Sequence, residues 1–434
     1  MVNKILGTTG TRVLNAAFNL LILIVLTREL GSSGFGIVSL IILAVTFIQL
    51  FIDLLAGSGI IYYTSRKPLA QLLFPAYGWI VFSGALYYLF VQFGNYFFPE
   101  LLVLLIPSGF EYHVLYLSLL NALMLTHYNV LIGQTRIKTY NFIFVVQITT
   151  LLISVVIRYY FLHEEAVVSF VYCLYMAYGI GAGLSFVSLI PGLKPLKIQG
   201  WSHTSLAVLK YGFISQVANL LHIGNKRISY YILRYFGGLP AVGIYGVGVQ
   251  LTEGLRLIGQ SISLVQFSSI AGQTDNTYAA RLTIQLMKLS VIITILALIV
   301  LIVIPTDLYL FLFKKDFADL KILIIALSPG VLALSANTIF SGYFAGTGKP
   351  SVSMKVNAIG FIITLITAIP FIAIHSYIGA AVAASISYTI TVLAQYLIFK
   401  KETKTTLKDW LISRNDLIEI KRMISLLLKT NRSS

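Results

Sequence analysis

The stretch Arg28-Glu-Leu-Gly-Ser-Ser-Gly-Phe-Gly36 decides the fold, because its outline returns later in the same chain. The later copy reads Arg234-Tyr-Phe-Gly237 and then Pro240-Ala-Val-Gly243. Each copy closes one apolar run with an arginine and opens the next through a glycine-rich turn, at an offset of 206 residues. A second echo sets Gly133-Gln-Thr-Arg136 against Gly346-Thr-Gly-Lys349, offset by 213. Two bundles of six spans in the same orientation give this spacing. Parallel repeats of that kind place a substrate site between the halves, near the membrane midplane.

Composition agrees with a chain built for lipid. The 434 residues are 58% hydrophobic and 11% charged, with a mean hydropathy of +0.88. That is far too apolar for a soluble domain. Twelve spans are expected near 11–27, 35–61, 69–92, 111–133, 141–162, 167–190, 210–234, 240–270, 281–304, 321–345, 352–374 and 378–399. The fold class is therefore an all-α polytopic membrane protein: a six-helix lobe over 1–200, a second over 201–400, a central cavity and a basic tail over 401–434. The segment 93–110 is apolar but broken by Pro99 and Pro107, and reads as an outer loop against the membrane or a re-entrant segment. Cys173, the single cysteine, falls in a span, so no intramolecular disulfide forms. No cleavable signal peptide is expected, since no small-residue cleavage site follows the first apolar run.

Loop charges orient the chain. With the N-terminus inside, the inner segments hold Lys4, Arg12, Arg66, Lys67, Arg136, Lys138, Lys194, Lys197, Lys210, Arg281, Lys288, Lys349 and Lys355, and the stretch from Lys400 onward adds nine more. The outer loops hold Arg28, Arg158, Arg234, Lys314, Lys315 and Lys321 beside acids such as Glu100, Glu164 and Asp307. Both termini are expected in the cytoplasm. In the tail, Leu417, Ile420, Ile424, Leu427 and Leu428 share a helical face with Lys421 and Arg422 beside it. That pattern suits either a helix on an anionic leaflet or a plain topology anchor. The net charge of +16 lies in short loops and tail, so no nucleic-acid partner is inferred.

Five charges sit well inside spans, away from the loop mouths: Asp53, Lys226, Arg227, Glu253 and Arg256. At roughly 3 kcal/mol each on insertion scales, together they would cost on the order of 15 kcal/mol if lipid-facing. That rivals a whole protein's net stability of about 5–15 kcal/mol. They must face protein or water. Helical spacing extends them into stripes: Arg12, Asn15 and Asn19; Ser39, Thr46, Gln49 and Asp53; Ser215, Asn219, His222, Lys226 and Ser229; Glu253, Arg256, Gln260 and Ser263. The stripes fall on the first two spans of each half. Bases outnumber acids, which suits an anionic cargo.

Arg256, Lys226, Arg227, Arg12, Asn219, Gln260 and Asn19 are thus the expected cargo contacts. The amides have an alternative role in bonding neighbouring helices, at about 0.6 kcal/mol each. Asp53 and Glu253 are candidates for proton or sodium coupling, and Asp53 equally for a counter-ion. No Walker A motif, His-Glu-x-x-His or Cys/His cluster is present, so neither an enzyme, a metal nor a cofactor is expected.

Several motifs carry a family resemblance. Arg28-Glu-Leu-Gly-Ser-Ser-Gly-Phe-Gly36, Ala56-Gly-Ser-Gly59, Leu312-Phe-Lys-Lys-Asp-Phe317 and Gly342-Tyr-Phe-Ala-Gly-Thr-Gly-Lys349 resemble the Wzx-type polysaccharide flippases over essentially the whole chain. The resemblance implies the exporter superfamily that also holds MATE transporters and lipid II flippases, with two six-helix lobes around a basic cavity. It implies an oligosaccharide on undecaprenyl pyrophosphate as cargo, moved outward across a bacterial inner membrane for O-antigen, capsule or exopolysaccharide synthesis. Polysaccharide polymerase and chain-length proteins, and membrane lipids, would be its partners. Two rivals stand beside it: a MATE-type small-molecule exporter, and a membrane polymerase or glycosyltransferase.

Overall fold

The computed structural model describes residues 2–164, 166–193, 200–270 and 276–405, and the described chain is helical without strands. The helices are α1 (Val2–Ala56), α2 (Ser58–Thr64), α3 (Leu69–Phe97), α4 (Pro99–Leu105), α5 (Glu111–Gly133), α6 (Ile137–Val156) and α7 (Val167–Leu189). They continue as α8 (Trp201–Glu253), α9 (Arg256–Ile270), α10 (Asn276–Val303), α11 (Thr306–Phe313), α12 (Leu320–Gly346) and α13 (Pro350–Thr403). Among the described residues nine helical segments are long and apolar enough to cross a membrane, which makes this a multi-pass membrane protein.

Three of those segments, Leu14–Thr64, Trp201–Glu253 and Ser351–Thr403, run 51 to 53 residues. At 1.5 Å per residue each spans about 75–80 Å, more than twice a hydrocarbon core of about 30 Å. Each also contains non-helical backbone, at Gly31, Gly238 and Ser376 respectively.

Gly31 (φ 65°, ψ −171°) and Gly238 (φ 71°, ψ −171°) adopt the same left-handed turn, a conformation that a Cβ would strain. They are 207 positions apart, so Gly238 rather than Gly237 is the counterpart of Gly31. In that register Ser32 matches Leu239 and Gly36 matches Gly243, and these four pack reciprocally. A Cβ on Gly36 would lie 2.2 Å from the Leu239 carbonyl oxygen, and one on Gly243 would lie 1.9 Å from that of Ser32. The helical stretches that follow Gly31 and Gly238 touch backbone to backbone there, an approach only small residues permit.

The residues gather into two compact units, Met1–Val247 with Asp307–Ala318, and Gly248–Thr306 with Asp319–Ser434. The first is filled by residues such as Ile52, Leu73, Tyr128 and Leu131. Its late-sequence segment carries Phe313 and Phe317, both buried. Asp316 of that segment accepts hydrogen bonds from the N–H and hydroxyl of Ser32, each 3.1 Å. The Leu312–Phe317 motif thus anchors by its aromatic pair and caps the helix that follows Gly31. The second unit is filled by Ile339, Phe340, Phe344 and Phe399.

Several expected boundaries change. The eighth span is not one helix over 240–270: α8 ends at Glu253, Gly254 and Leu255 form a turn, and α9 begins at Arg256. Glycine's backbone freedom makes Gly254 a natural breaking point. The second span also breaks, at Gly57, and the Ala56 carbonyl accepts a hydrogen bond from Asn129 Nδ2 at 3.1 Å. The 93–110 stretch is largely helical, with α3 continuing to Phe97 and Pro99 starting the seven-residue α4, which is too short to cross. The tail beyond 405 and its amphipathic face lie outside the described residues.

Candidate functional site

In the first unit, α8 carries the sequence Asn225-Lys226-Arg227. Lys226 is 6% exposed, the one lysine, arginine, aspartate or glutamate buried to that degree among the described residues. Buried ammonium groups are costly unless engaged, and Lys226 is engaged within the protein. Arg227 is half-buried, and its guanidinium lies 3.3 Å from the Tyr230 hydroxyl and 5.6 Å from that ring's centre. One residue on a helix turns about 100°, so the two cations point in different directions.

Asp53, on α1, is half-buried and accepts a 2.7 Å hydrogen bond from Gln49 Nε2. Gln49 in turn accepts from Asn121 Nδ2 of α5 at 3.1 Å. The carboxylate's partner is therefore an amide chain running into a second helix. Asn19 and Asn219 are exposed and bond along their own helices: Asn19 Nδ2 to the carbonyl and Oδ1 of Asn15, both 2.9 Å, and Asn219 Nδ2 to Gln216 Oε1 at 3.2 Å. The side chain of Arg12 lies outside the described residues.

The second unit holds Arg256 and Gln260, one turn apart at the start of α9, with Glu253 half-buried at the end of α8. With the Gln260 amide oxygen turned to the guanidinium, it accepts from Arg256 Nε at 3.1 Å and Nη2 at 2.6 Å. Two aligned N–H groups on one oxygen fix the plane of the arginine. The predicted cargo residues thus fall into two groups: Lys226, Arg227, Asn19 and Asn219 in the first unit, Arg256 and Gln260 in the second.

Two clusters escaped the sequence reading. In the first unit the Tyr77 hydroxyl is hydrogen-bonded to His127 Nε2 at 2.7 Å, and His127 Nδ1 to the Ser185 hydroxyl at 3.1 Å. In the second, α12 carries Ser335, Thr338 and Ser341 at helical spacing beside Asn337, a polar stripe on a span outside the four singled out. An open groove of about 600 Å³ on the first unit is lined by Tyr112, His113, Tyr116, Leu119, Leu120 and Tyr175, with no formally charged side chain. Such a wall suits hydrocarbon and interfacial contact better than a phosphate.

No family model matches the chain. An uncharacterised membrane protein of Methanocaldococcus jannaschii is 28% identical over 186 residues, covering 42% of this chain and 37% of that protein. The chain thus spans little more than a third of that relative's length. Among solved structures, the lipid II flippase MurJ in an inward closed conformation matches with a TM-score of 0.70 and 18% identity, over 96% of this chain and 91% of that one. An inward-facing MATE-family multidrug resistance transporter of the MOP superfamily matches at 0.67 and 14%, over 90% and 94%. A MOP superfamily transporter of Pyrococcus furiosus, described as having a binding pocket of reversed polarity, matches at 0.54 and 13%, over 91% and 96%. The chain therefore has the fold of the MOP superfamily transporters.

Proposed function

We propose that the protein is a flippase that carries an oligosaccharide linked to undecaprenyl pyrophosphate from the cytoplasmic to the outer face of a bacterial inner membrane. In this reading the chain crosses twelve times, the three long kinked segments each supplying two crossings, and both termini are cytoplasmic. Two six-helix lobes, 1–200 and 201–400, enclose a basic chamber and rock about it in alternating access. The cargo's diphosphate and sugars cannot enter hydrocarbon unaided, because every unpaired charge and hydroxyl would be desolvated. Lys226, Arg227, Arg256 and Arg12 attract the diphosphate through charge-assisted hydrogen bonds. Asn19, Asn219 and Gln260 meet sugar hydroxyls, while the prenyl tail stays in lipid. Asp53 or Glu253 couples the cycle to protons or sodium. Polysaccharide polymerase and chain-length proteins receive the product.

The observation that carries this reading is the placement of cations inside an apolar helical fold, above all the burial of Lys226. Likeness in fold to a lipid II flippase supports it. The direct test is Arg256→Ala in a cell that depends on this chain for its surface glycan. Surface polysaccharide is expected to disappear while the protein still reaches the membrane; wild-type glycan in that strain refutes the assignment. Likeness to the MATE fold supports a second reading, ion-coupled export of small molecules. Cationic drugs favour acidic chambers, so this reading predicts drug resistance conferred on a pump-deficient host, where the flippase reading predicts none.

A further inference from the structure

A shallow, open groove of about 340 Å³ lies on the second unit between α9 and α12. Gln260, Ser263 and Phe267 line it from one helix, and Thr338, Ser341 and Gly342 from the other. Its size lies at the small end of the range for small-molecule sites, roughly 300–1,000 Å³. Four hydroxyl or amide side chains, Gln260, Ser263, Thr338 and Ser341, border it from the two helices.

The hydrogen bonds behind the wall determine what it offers. The Ser263 hydroxyl donates to the Thr338 carbonyl at 2.9 Å, and the Thr338 hydroxyl donates to the Leu334 carbonyl at 2.8 Å. The Ser341 hydroxyl donates to Asn337 Oδ1 at 3.1 Å, and it accepts from Ser353 at 3.4 Å and from Gln395 Nε2 at 3.3 Å. The hydroxyl protons are thus spent on the protein. Ser263 and Thr338, both in the lining, can then act only as acceptors, since each hydroxyl oxygen keeps its lone pairs after donating. Gln260 spends its oxygen on Arg256, leaving its NH₂ as the donor. Buried just behind the wall, Gln266 Oε1 and Gln395 Oε1 lack any hydrogen-bond partner, so the surroundings are richer still in unmet acceptors.

A ligand for this surface must bring donors. An anion finds one donor on this wall, the Gln260 NH₂, and is drawn instead to the Arg256 guanidinium. A cation would sit beside Gln260, whose oxygen already holds the Arg256 guanidinium, and like charges at that range oppose binding. A neutral, hydroxyl-bearing group meets neither obstacle. We infer that the α9–α12 groove is a sugar subsite that takes the hydroxyls of the residue next to the cargo's diphosphate, with Gln260 joining it to Arg256. This deepens the flippase reading and rests on it. Thr338 and Ser263 are the specificity-determining residues of the subsite, and Arg256 belongs to the diphosphate.

The test is equilibrium binding to the full-length purified protein, using farnesyl diphosphate and the same lipid carrying one hexose or one N-acetylhexosamine. Wild type is expected to bind at least one sugar-bearing lipid about tenfold tighter than the bare diphosphate, as two good hydrogen bonds would give. The T338V/S263A variant, with its thermal melt checked against wild type, should lose that advantage and keep its affinity for farnesyl diphosphate. T338V alone, which removes one hydroxyl at nearly constant volume, should lose part of it. If neither sugar adds affinity, or the advantage survives in T338V/S263A, the subsite is overturned while the flippase reading stands. If wild type fails to bind farnesyl diphosphate, the flippase reading itself falls. Sodium that stabilises wild type but not T338V/S263A without any lipid would make the groove a cation site, and that also overturns the inference.

Discussion

Gln49–Asp53 and Arg256–Gln260 are two i, i+4 pairs joined in the same way. Each member of the first lies 207 positions before its counterpart, the register set by Gly31 and Gly238. In both pairs the earlier residue donates to the later one across a single helical turn, Gln49 to Asp53 at 2.7 Å and Arg256 to Gln260 at 2.6 Å and 3.1 Å. The charge has been exchanged, however. The first pair carries a carboxylate and no cation, the second a guanidinium and no acid. The two pairs share their hydrogen-bond geometry and differ in charge. The proposed division of labour follows: the second copy holds an anionic cargo, and the first responds to a small cation or proton.

The strongest way to break that comparison is to remove the guanidinium. Arg256→Ala is expected to cost roughly 2–5 kcal/mol of cargo affinity, as when one member of a desolvated charge pair is truncated. Transport should fall to background. Arg256→Lys keeps the charge and loses the planar fork, so partial transport is expected in the same glycan assay. Asp53→Asn should leave binding of the bare diphosphate lipid within about twofold of wild type, since less than 0.5 kcal/mol is at stake. It should lower turnover and flatten its dependence on external pH or sodium, as measured in proteoliposomes. Equal loss of binding in both variants would show that the two copies share one task.

The register itself can be broken where the copies touch. Gly36→Ala and Gly243→Ala each drive a Cβ into a carbonyl oxygen of the other helix, and overpacking of that kind costs typically about 1–3 kcal/mol. The two melting-temperature losses should be similar. A large loss at one position with none at the other would remove the reciprocal crossing on which the pairing of Gln49 with Arg256 depends.

The smallest effect lies in the loop between α6 and α7. Glu164 accepts from the Ser169 hydroxyl at 2.8 Å and from Arg158 at 2.6 Å. Those bonds, the serine first, hold its carboxyl below the ordinary carboxylate range. A lowered folded-state value stabilises the protein above the unfolded value and is lost as pH falls through the folded one. Glu164→Gln should therefore melt slightly lower than wild type at neutral pH, and the two curves should converge in acid. A gap that widens in acid would reverse the sign.

Much of this was legible before any coordinates. The Arg28–Gly36 echo pointed to two alike turns because a left-handed turn and a backbone crossing both demand glycine, and few other residues can stand in. Its register was one residue off, since Gly237 and Gly238 are adjacent and only backbone angles choose between them. The charges of α8 and α9 stood out because apolar spans tolerate so few. The break at Gly254–Leu255 did not, because a lone glycine inside an apolar pattern weakens a helix without having to end it. Asn121 and Thr338 were passed over for a related reason. Neutral polar groups recur in ordinary helix contacts, and only their partners, Gln49 and the α9 wall, set these two apart.

The central claim is that the cations of this fold serve an anionic lipid. Transfer of a fluorescent prenyl-diphosphate oligosaccharide across proteoliposome membranes tests it most directly, with wild type and Arg256→Ala inserted at equal density. Wild type should move the lipid and Arg256→Ala should match protein-free vesicles. Equal transfer by both, or transfer by neither while a cationic dye is exported, would contradict the account.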